Sequence, residues 1–172
     1  RDGLLGHTSA DLDIAIDQTP EDSMALLKGA GIKVIPTGLK HGTITAVAGG
    51  QHFEITTLRV DVETFGRHAK VAFTDDWQLD AARRDFTINA IYADGDGQIY
   101  DPMGGQADLG AGRVVFVGDA AQRIDEDKLR ILRFFRFQAL FGRGDPNAAA
   151  LAACAAAASG IAALSGERVR DE

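Results

Sequence analysis

The spacing of hydrophobic and polar residues changes at Gly118: before it short apolar runs alternate with turns, and after it only helical spacing remains. Residues 12–16, LDIAI, predict a buried strand entered from a polar turn. Thr19-Pro20-Glu21-Asp22 predicts a helix start, with Thr19 as cap, Pro20 in the first turn and acids near the positive end; the helix should run to about Gly29 or Gly31. Residues 32–35 predict a short strand, and 43–48 with 51–58 a hairpin around Gly49-Gly50. Residues 60–77 show no clean period and predict a mobile loop. A helix over about 78–91, a turn at Asp94-Gly95-Asp96-Gly97, a short strand near 98–100, a glycine-rich bend and a strand at 112–117 should complete the sheet. Beyond Gly118, residues 126–142 predict a helix that places Leu129, Leu132, Phe135 and Phe141 among arginines. Residues 147–158 are almost pure alanine, a helix-forming composition with no chemistry of its own. The expected fold class is α+β: a domain over 1–118 with a small mixed sheet, then the start of an all-helical domain over 119–172.

At 172 residues the chain can bury one good core, with or without a helical extension. No run approaches membrane-spanning length, and the start does not resemble a signal peptide. A single cysteine, Cys154, excludes an internal disulfide and fits a reducing cytoplasm. The net charge of −7 is carried entirely by residues 1–118, with 10 Lys+Arg against 17 Asp+Glu, while residues 119–172 hold 8 of each. That distribution excludes a free-standing nucleic-acid clamp, which should be basic. It suits metal-assisted phosphate chemistry, with any RNA-gripping surface expected largely outside this chain. The sequence opens inside a motif, Arg1-Asp2-Gly3-Leu4-Leu5-Gly6, and stops inside a charged helix, so it reads as a fragment of a longer protein.

Strand alternation sends Asp11, Asp13 and Ala15 to one face, and Leu12, Ile14 and Ile16 into the core. Two carboxylates on one strand face, about 7 Å apart, repel unless a cation lies between them. Magnesium is the natural occupant, since it takes oxygen ligands and leaves room for phosphates. Glu54, if its strand neighbours the first, adds a third acid for a two-metal site. Taken alone, such a D-x-D is more often a polar strand entry, and Glu54 a solvated strand residue. Asp127 and Arg130, three apart, should project from one helical face. A carboxylate accepts and a guanidinium donates, matching the amino group and ring nitrogen that cytosine and adenine share and guanine and uracil reverse. The plainer alternative is a surface ion pair worth tenths of a kcal/mol. Likewise Arg83-Arg84 alone reads as a solvated helix face, and His41 as a turn residue. The Walker pattern, the G-x-G-x-x-G fingerprint and zinc-type spacing are missing.

In order along the chain stand RDGLLG, DLDIA, TGLKHGTIT, FEITTLR, RRDFTINAI, DPMGGQADL and EDKLRILRFFRF, with GERVRDE at the end. Together they resemble the class II tRNA nucleotidyltransferases and bacterial poly(A) polymerases, a branch of the DNA polymerase beta-like superfamily. The resemblance implies a DNA polymerase beta-like head followed by a helical neck. Asp11 and Asp13 would hold the Mg2+ ions, with Glu54 the third catalytic acid. Arg1 would contact triphosphate, although the paired glycines that precede this arginine in the family are not in the sequence. Arg84, Asp85 and Asn89 would contact phosphates and ribose of the incoming nucleotide. Asp127 and Arg130 would read its base, with Arg133 and Arg136 nearby. The implied activity is addition of C and A from CTP and ATP to a tRNA 3′ end, without a membrane partner. In the implied mechanism the primer hydroxyl would attack the α-phosphorus in line and pyrophosphate would leave; one metal would lower the hydroxyl's pKa and the other would stabilise the leaving oxygens, and a nearby carboxylate would take the proton. Rival readings are a poly(A) polymerase, whose basic G-R-R-F-like segment is not found, and a CC-adding enzyme. Against the latter stands the 60–77 loop, which with Arg59, Asp61 and Arg67 looks complete. A non-catalytic RNA-binding relative is disfavoured by the retained, mutually repelling acids.

Overall fold

The structure, a computed structural model, describes residues 1–8, 12–65 and 68–172. Strand β1 (Asp13–Ile16) leads into helix α1 (Pro20–Gly29). The start of α1 follows its sequence: the Thr19 hydroxyl accepts from the Asp22 amide at 3.2 Å, and Pro20 sits where no N–H is missed. Strands β2 (Lys33–Gly38), β3 (Thr43–Ala48) and β4 (Gln51–Thr57) follow. The turn between β3 and β4 uses Gly49 and Gly50, at φ 58° and 78°, the left-handed region that a two-residue hairpin turn requires. The sheet order is β1-β4-β3-β2, with β1 parallel to β4 and the other pairs antiparallel. Ile44, Ala46 and Ile55 form the buried face, packed by Ile16, Met24, Leu27, Ile32 and Val34.

Strand β1 departs from the expected burial. Leu12 and Ile14 are 62% and 36% exposed, and only Ile16 reaches the core. The cause is position: among the described residues β1 is an edge strand of the sheet, while α1 packs mainly against β2 and β3.

The segment expected to be a mobile loop contains two paired strands, β5 (Arg59–Phe65) and β6 (His68–Phe73). Helix α2 (Trp77–Ala82) is far shorter than the expected 78–91. It stops because Phe86 must be extended (φ −122°, ψ 149°) to bridge to Phe116 and be fully buried among Phe116, Phe134 and Phe137. A 3-10 turn at Thr87–Asn89 and a hairpin of β7 (Tyr92–Ala93) and β8 (Ile99–Tyr100) come next. The glycine-rich bend is helix α3 (Gly105–Ala111), and residues 112–117 make only the Phe116 bridge. These segments therefore do not complete the main sheet; β5–β6 and β7–β8 stand as separate pairs.

Helices α4 (Ala120–Glu126), α5 (Leu129–Phe141), α6 (Ala148–Ala156) and α7 (Gly166–Asp171) finish the chain. The α+β class with a small mixed sheet and a helical end stands. Two compact units result: Asp2–Glu63 with Lys70–Asp80 contains the four-stranded sheet, and Arg1, Thr64–Ala69 and Ala81–Glu172 contain the later helices. Among the described residues no helix is long and apolar enough to cross a membrane.

Candidate functional site

In the unit holding the main sheet, Asp13 of β1 is the register partner of Glu54 of β4. Partners on parallel neighbours point to the same face, about 4.8 Å apart at the backbone. Glu54 is in turn opposite Thr45 of β3, whose hydroxyl lies 3.0 Å from that of Thr37. The face opposite the Ile44–Ile55 core thus presents two carboxylates beside threonine hydroxyls. Both acids are exposed, and among the described residues neither has an ion-pair partner. Like charges side by side on neighbouring strands destabilise unless something neutralises them. Oxygen-only, exposed and uncompensated, the pair fits a hard divalent cation. Among the described residues no three metal-ligating side chains gather; Asp11, the other expected ligand, and Arg67 lie outside them. His41 is in the 3-10 turn Leu39–His41, and its carbonyl accepts from the Arg59 guanidinium, consistent with a turn residue.

The second unit gathers the arginines. Asp85 is buried at the end of α2's extension into the Thr87–Asn89 turn. Its Oδ1 accepts from its neighbour's amide, Phe86 N, at 2.8 Å and from Asn89 Nδ2 at 2.9 Å; its Oδ2 accepts from Arg133 Nε at 2.7 Å. Burial alone would raise the Asp85 carboxyl, but the Arg133 charge and these hydrogen bonds outweigh it and hold it below its ordinary value of 3.8. Arg84 donates to Tyr92 Oη and to the Asn89 carbonyl, both at 3.2 Å, and lies over the Tyr92 ring. Arg1 donates to Asn89 Oδ1. Three guanidinium groups, from Arg1, Arg133 and Arg136, stand 5.0, 5.3 and 4.9 Å from the centre of the Phe137 ring. Arg133 and Arg136 also converge on the Glu172 carboxylate, which is only 7% exposed. The aromatic face and two carboxylates make this cluster of cations tolerable and hold it in place.

Asp127 and Arg130 do not share a helical face. Asp127 is extended (φ −154°, ψ 110°) and separates α4 from α5, so the helix expected over 126–142 begins only at Leu129. It acts as a cap: its carbonyl accepts from Arg130 N and its Oδ1 from Leu129 N, each at 3.0 Å. Its Oδ2 accepts from Arg168 at 2.7 Å. Arg130 donates instead to Glu126 at 2.5 Å and to the carbonyls of Arg123 and Arg83 at 2.9 and 3.4 Å. Asp127 is extended and precedes the first turn of α5, so spacing of three did not translate into a shared face.

Residues 1–115 match the family described as the Poly A polymerase head domain. The chain belongs to that family. CCA tRNA nucleotidyltransferase 1, mitochondrial, from Mus musculus is 50% identical over 175 residues, covering 98% of this chain and 40% of the relative. Among solved structures, the Bacillus stearothermophilus CCA-adding enzyme in complex with CTP superposes with a TM-score of 0.85 at 37% identity over 97% of this chain and 39% of that one. The Thermotoga maritima CCA-adding enzyme complexed with tRNA_CCA gives 0.75 at 25% identity over 99% and 39%. The chain therefore spans about two fifths of the length of the relatives it matches.

For this member of the Poly A polymerase head-domain family, sequence reasoning singled out the arginines but missed what holds them. Phe137, Tyr92, Glu126, Arg168 and Glu172 were not among the candidates. Phe137 looks like any core aromatic of a helix, and Glu172 meets Arg133 from 39 positions away. No local pattern announces either contact.

Proposed function

We propose that the chain carries the nucleotidyl-transfer and base-reading parts of an enzyme that adds C and A to the 3′ end of tRNA from CTP and ATP. The observation that carries this reading is the exposed Asp13–Glu54 pair in register on β1 and β4. Likeness to CCA-adding enzymes along nearly the whole chain, including structures named for complexes with CTP and with tRNA, supports the choice of substrates.

Asp11 and Asp13 are the residues we assign to two magnesium ions, with Glu54 the third acid beside them. When bound, such ions lower the pKa of the primer hydroxyl and neutralise charge on the leaving pyrophosphate. One of the carboxylates accepts the hydroxyl proton. Arg1, Arg84, Asp85 and Asn89 bind triphosphate and ribose, with Arg133 and Arg136 nearby on one helix, held by Asp85 and Glu172. Asp127 and Arg130, although not on one helical face, remain the residues to which we give base reading: Asp127 Oδ2 would exchange Arg168 for the amino group of cytosine or adenine, and Arg130 would exchange Glu126 for the adjoining ring nitrogen. In functional terms we divide the chain into a nucleotidyltransferase head, 1–118, and a helical neck segment, 119–172; the family match, which ends at residue 115, supports that boundary. The cytoplasm is the compartment we propose, on the strength of a lone, buried thiol in Cys154, which burial pushes up to about 11; the mouse relative is by its name mitochondrial.

The test is incorporation by the intact protein into tRNA lacking its 3′ end, with each nucleotide supplied separately and in sequence. Two CTP additions followed by one of ATP are expected, all dependent on magnesium. Incorporation of ATP alone would make it a poly(A) polymerase, and of CTP alone a CC-adding enzyme. No magnesium-dependent incorporation of any nucleotide would overturn the reading.

A further inference from the structure

We propose that Thr87, Gly105 and Asp108 are positioning residues that fix the nucleotide-contacting turn, an inference that rests on the roles given above to Asp85 and Asn89. The 3-10 turn Thr87–Asn89 is three residues long and has no regular element of its own to keep it still. It is fastened at three points. Thr87 N donates to the Val115 carbonyl at 3.0 Å and Val117 N to the Asp85 carbonyl at 2.9 Å, on either side of the Phe86–Phe116 bridge. The Thr87 hydroxyl donates to Asp108 Oδ2 on α3 at 2.7 Å. Asp108 Oδ1 is held in turn by Arg113, from Nε at 3.0 Å and a terminal nitrogen at 2.8 Å.

The third fastening is contact without a side chain. Gly105, at the start of α3, lies so close under the turn that a Cβ there would stand 2.1 Å from the Thr87 carbonyl oxygen and 2.8 Å from Ile91 Cγ1. Only glycine permits this approach. The start of α3 is itself pinned, because the Asp101 carboxylate accepts from Gly105 N at 2.7 Å and Gln106 N at 2.8 Å. The stretch DPMGGQADL, to which no chemistry is otherwise assigned, thereby becomes a brace. What it braces is Asn89, two residues after Thr87, whose amide bonds Asp85 Oδ1 and whose carbonyl receives Arg84. Small misplacement of groups that contact a ligand weakens binding and orientation steeply. A charge-assisted bond such as Thr87 to Asp108 is suited to prevent it.

The experiment uses the intact protein with tRNA primer and measures KM and kcat for CTP and ATP. Thr87→Val keeps the shape and removes the hydroxyl; it should raise both nucleotide KM values at least about tenfold, the lower end of what one hydrogen bond to a charged group is worth. Thr87→Ser keeps the hydroxyl and should return KM close to the parent value. Asp108→Asn should move KM in the same direction as Thr87→Val. Irreversibly unfolded protein leaves KM unchanged, but reversible unfolding raises it, so each variant is read at a temperature where its melting curve shows it folded, and if Thr87→Val yields no folded protein Asp108→Asn decides. An unchanged KM in the deciding variant, or an equal rise in Thr87→Ser, overturns the brace. Asn89→Ala run alongside separates the two failures. If it leaves KM unchanged, the role given to Asn89 is wrong; if it raises KM while the brace variants do not, only the brace is wrong.

Discussion

At the scale of single residues, the acids on which the proposed chemistry turns are two that no described residue pairs with. Asp13 and Glu54 sit side by side and exposed, so removing one relieves repulsion and, on the proposed reading, takes away an acid of the metal site at once. Asp13→Ala is expected to lower transfer at least about 100-fold, in keeping with several kcal/mol of lost charge stabilisation. Its melting temperature without metal should hold or rise. Near-normal turnover in the variant would end the two-metal assignment. Asp127 needs a gentler substitution, because its Oδ1 caps α5. Asp127→Asn keeps an acceptor for Leu129 N but replaces the charge by an amide that can donate. Discrimination against GTP and UTP should then shrink by about 10- to 150-fold, the worth of one hydrogen bond to a charged group. Single-nucleotide addition with the four triphosphates measures this, and undiminished discrimination would remove Asp127 from base reading.

Between elements, the Asp85–Arg133 bond ties the turn after α2 to α5. Its folded carboxyl titrates below its ordinary value of 3.8, so in acid the unfolded chain takes up the proton first. The stability it contributes is therefore complete above 3.8 and lost as pH falls through the folded value. Urea unfolding should show the parent more stable than Asp85→Asn by a margin that is constant from pH 7 to about 5 and narrows below the ordinary carboxylate range. A margin that stays constant down to pH 2 would mean the carboxylate is not held in its charged form. Elements differed in how far the sequence disclosed them. The Thr19 cap and the Gly49-Gly50 hairpin were legible because a side chain and two left-handed residues act locally. The nearness of Glu54 to Asp13 was legible as a condition, since alternation places each on a face but does not choose a neighbour. The β5–β6 pair was lost in a window longer than either strand, although Arg59–Phe65 alternates well. The end of α2 was invisible because Phe86 answers to Phe116, Phe134 and Phe137, all distant in sequence. Asp127 misled because a residue three before an arginine can cap a helix as readily as join it.

For the whole molecule, the balance of charge decides how it meets RNA. A net charge of −7 leaves few cations to displace counterions from a phosphate backbone, and Arg133 and Arg136 are already paired with Asp85 and Glu172. Residues 1–172 alone should bind tRNA with a Kd weaker than about 1 µM at physiological salt. Submicromolar binding in a filter or anisotropy assay would show a gripping surface within this chain. The parallel pairing of β1 with β4 has a consequence in time. Strands β3 and β4 share a two-residue turn and can pair within about 10 µs, whereas β1 must close a loop of about forty residues to reach β4. The sheet is thus completed by the step that carries Asp13 against Glu54, two negative charges approaching each other late in folding. Refolding rates followed in stopped flow should accordingly rise with added magnesium, and a rate indifferent to the cation would place this approach elsewhere. On that order of events the ion the finished protein is proposed to use would also be a folding aid, welcomed by the edge of the sheet before any nucleotide arrives.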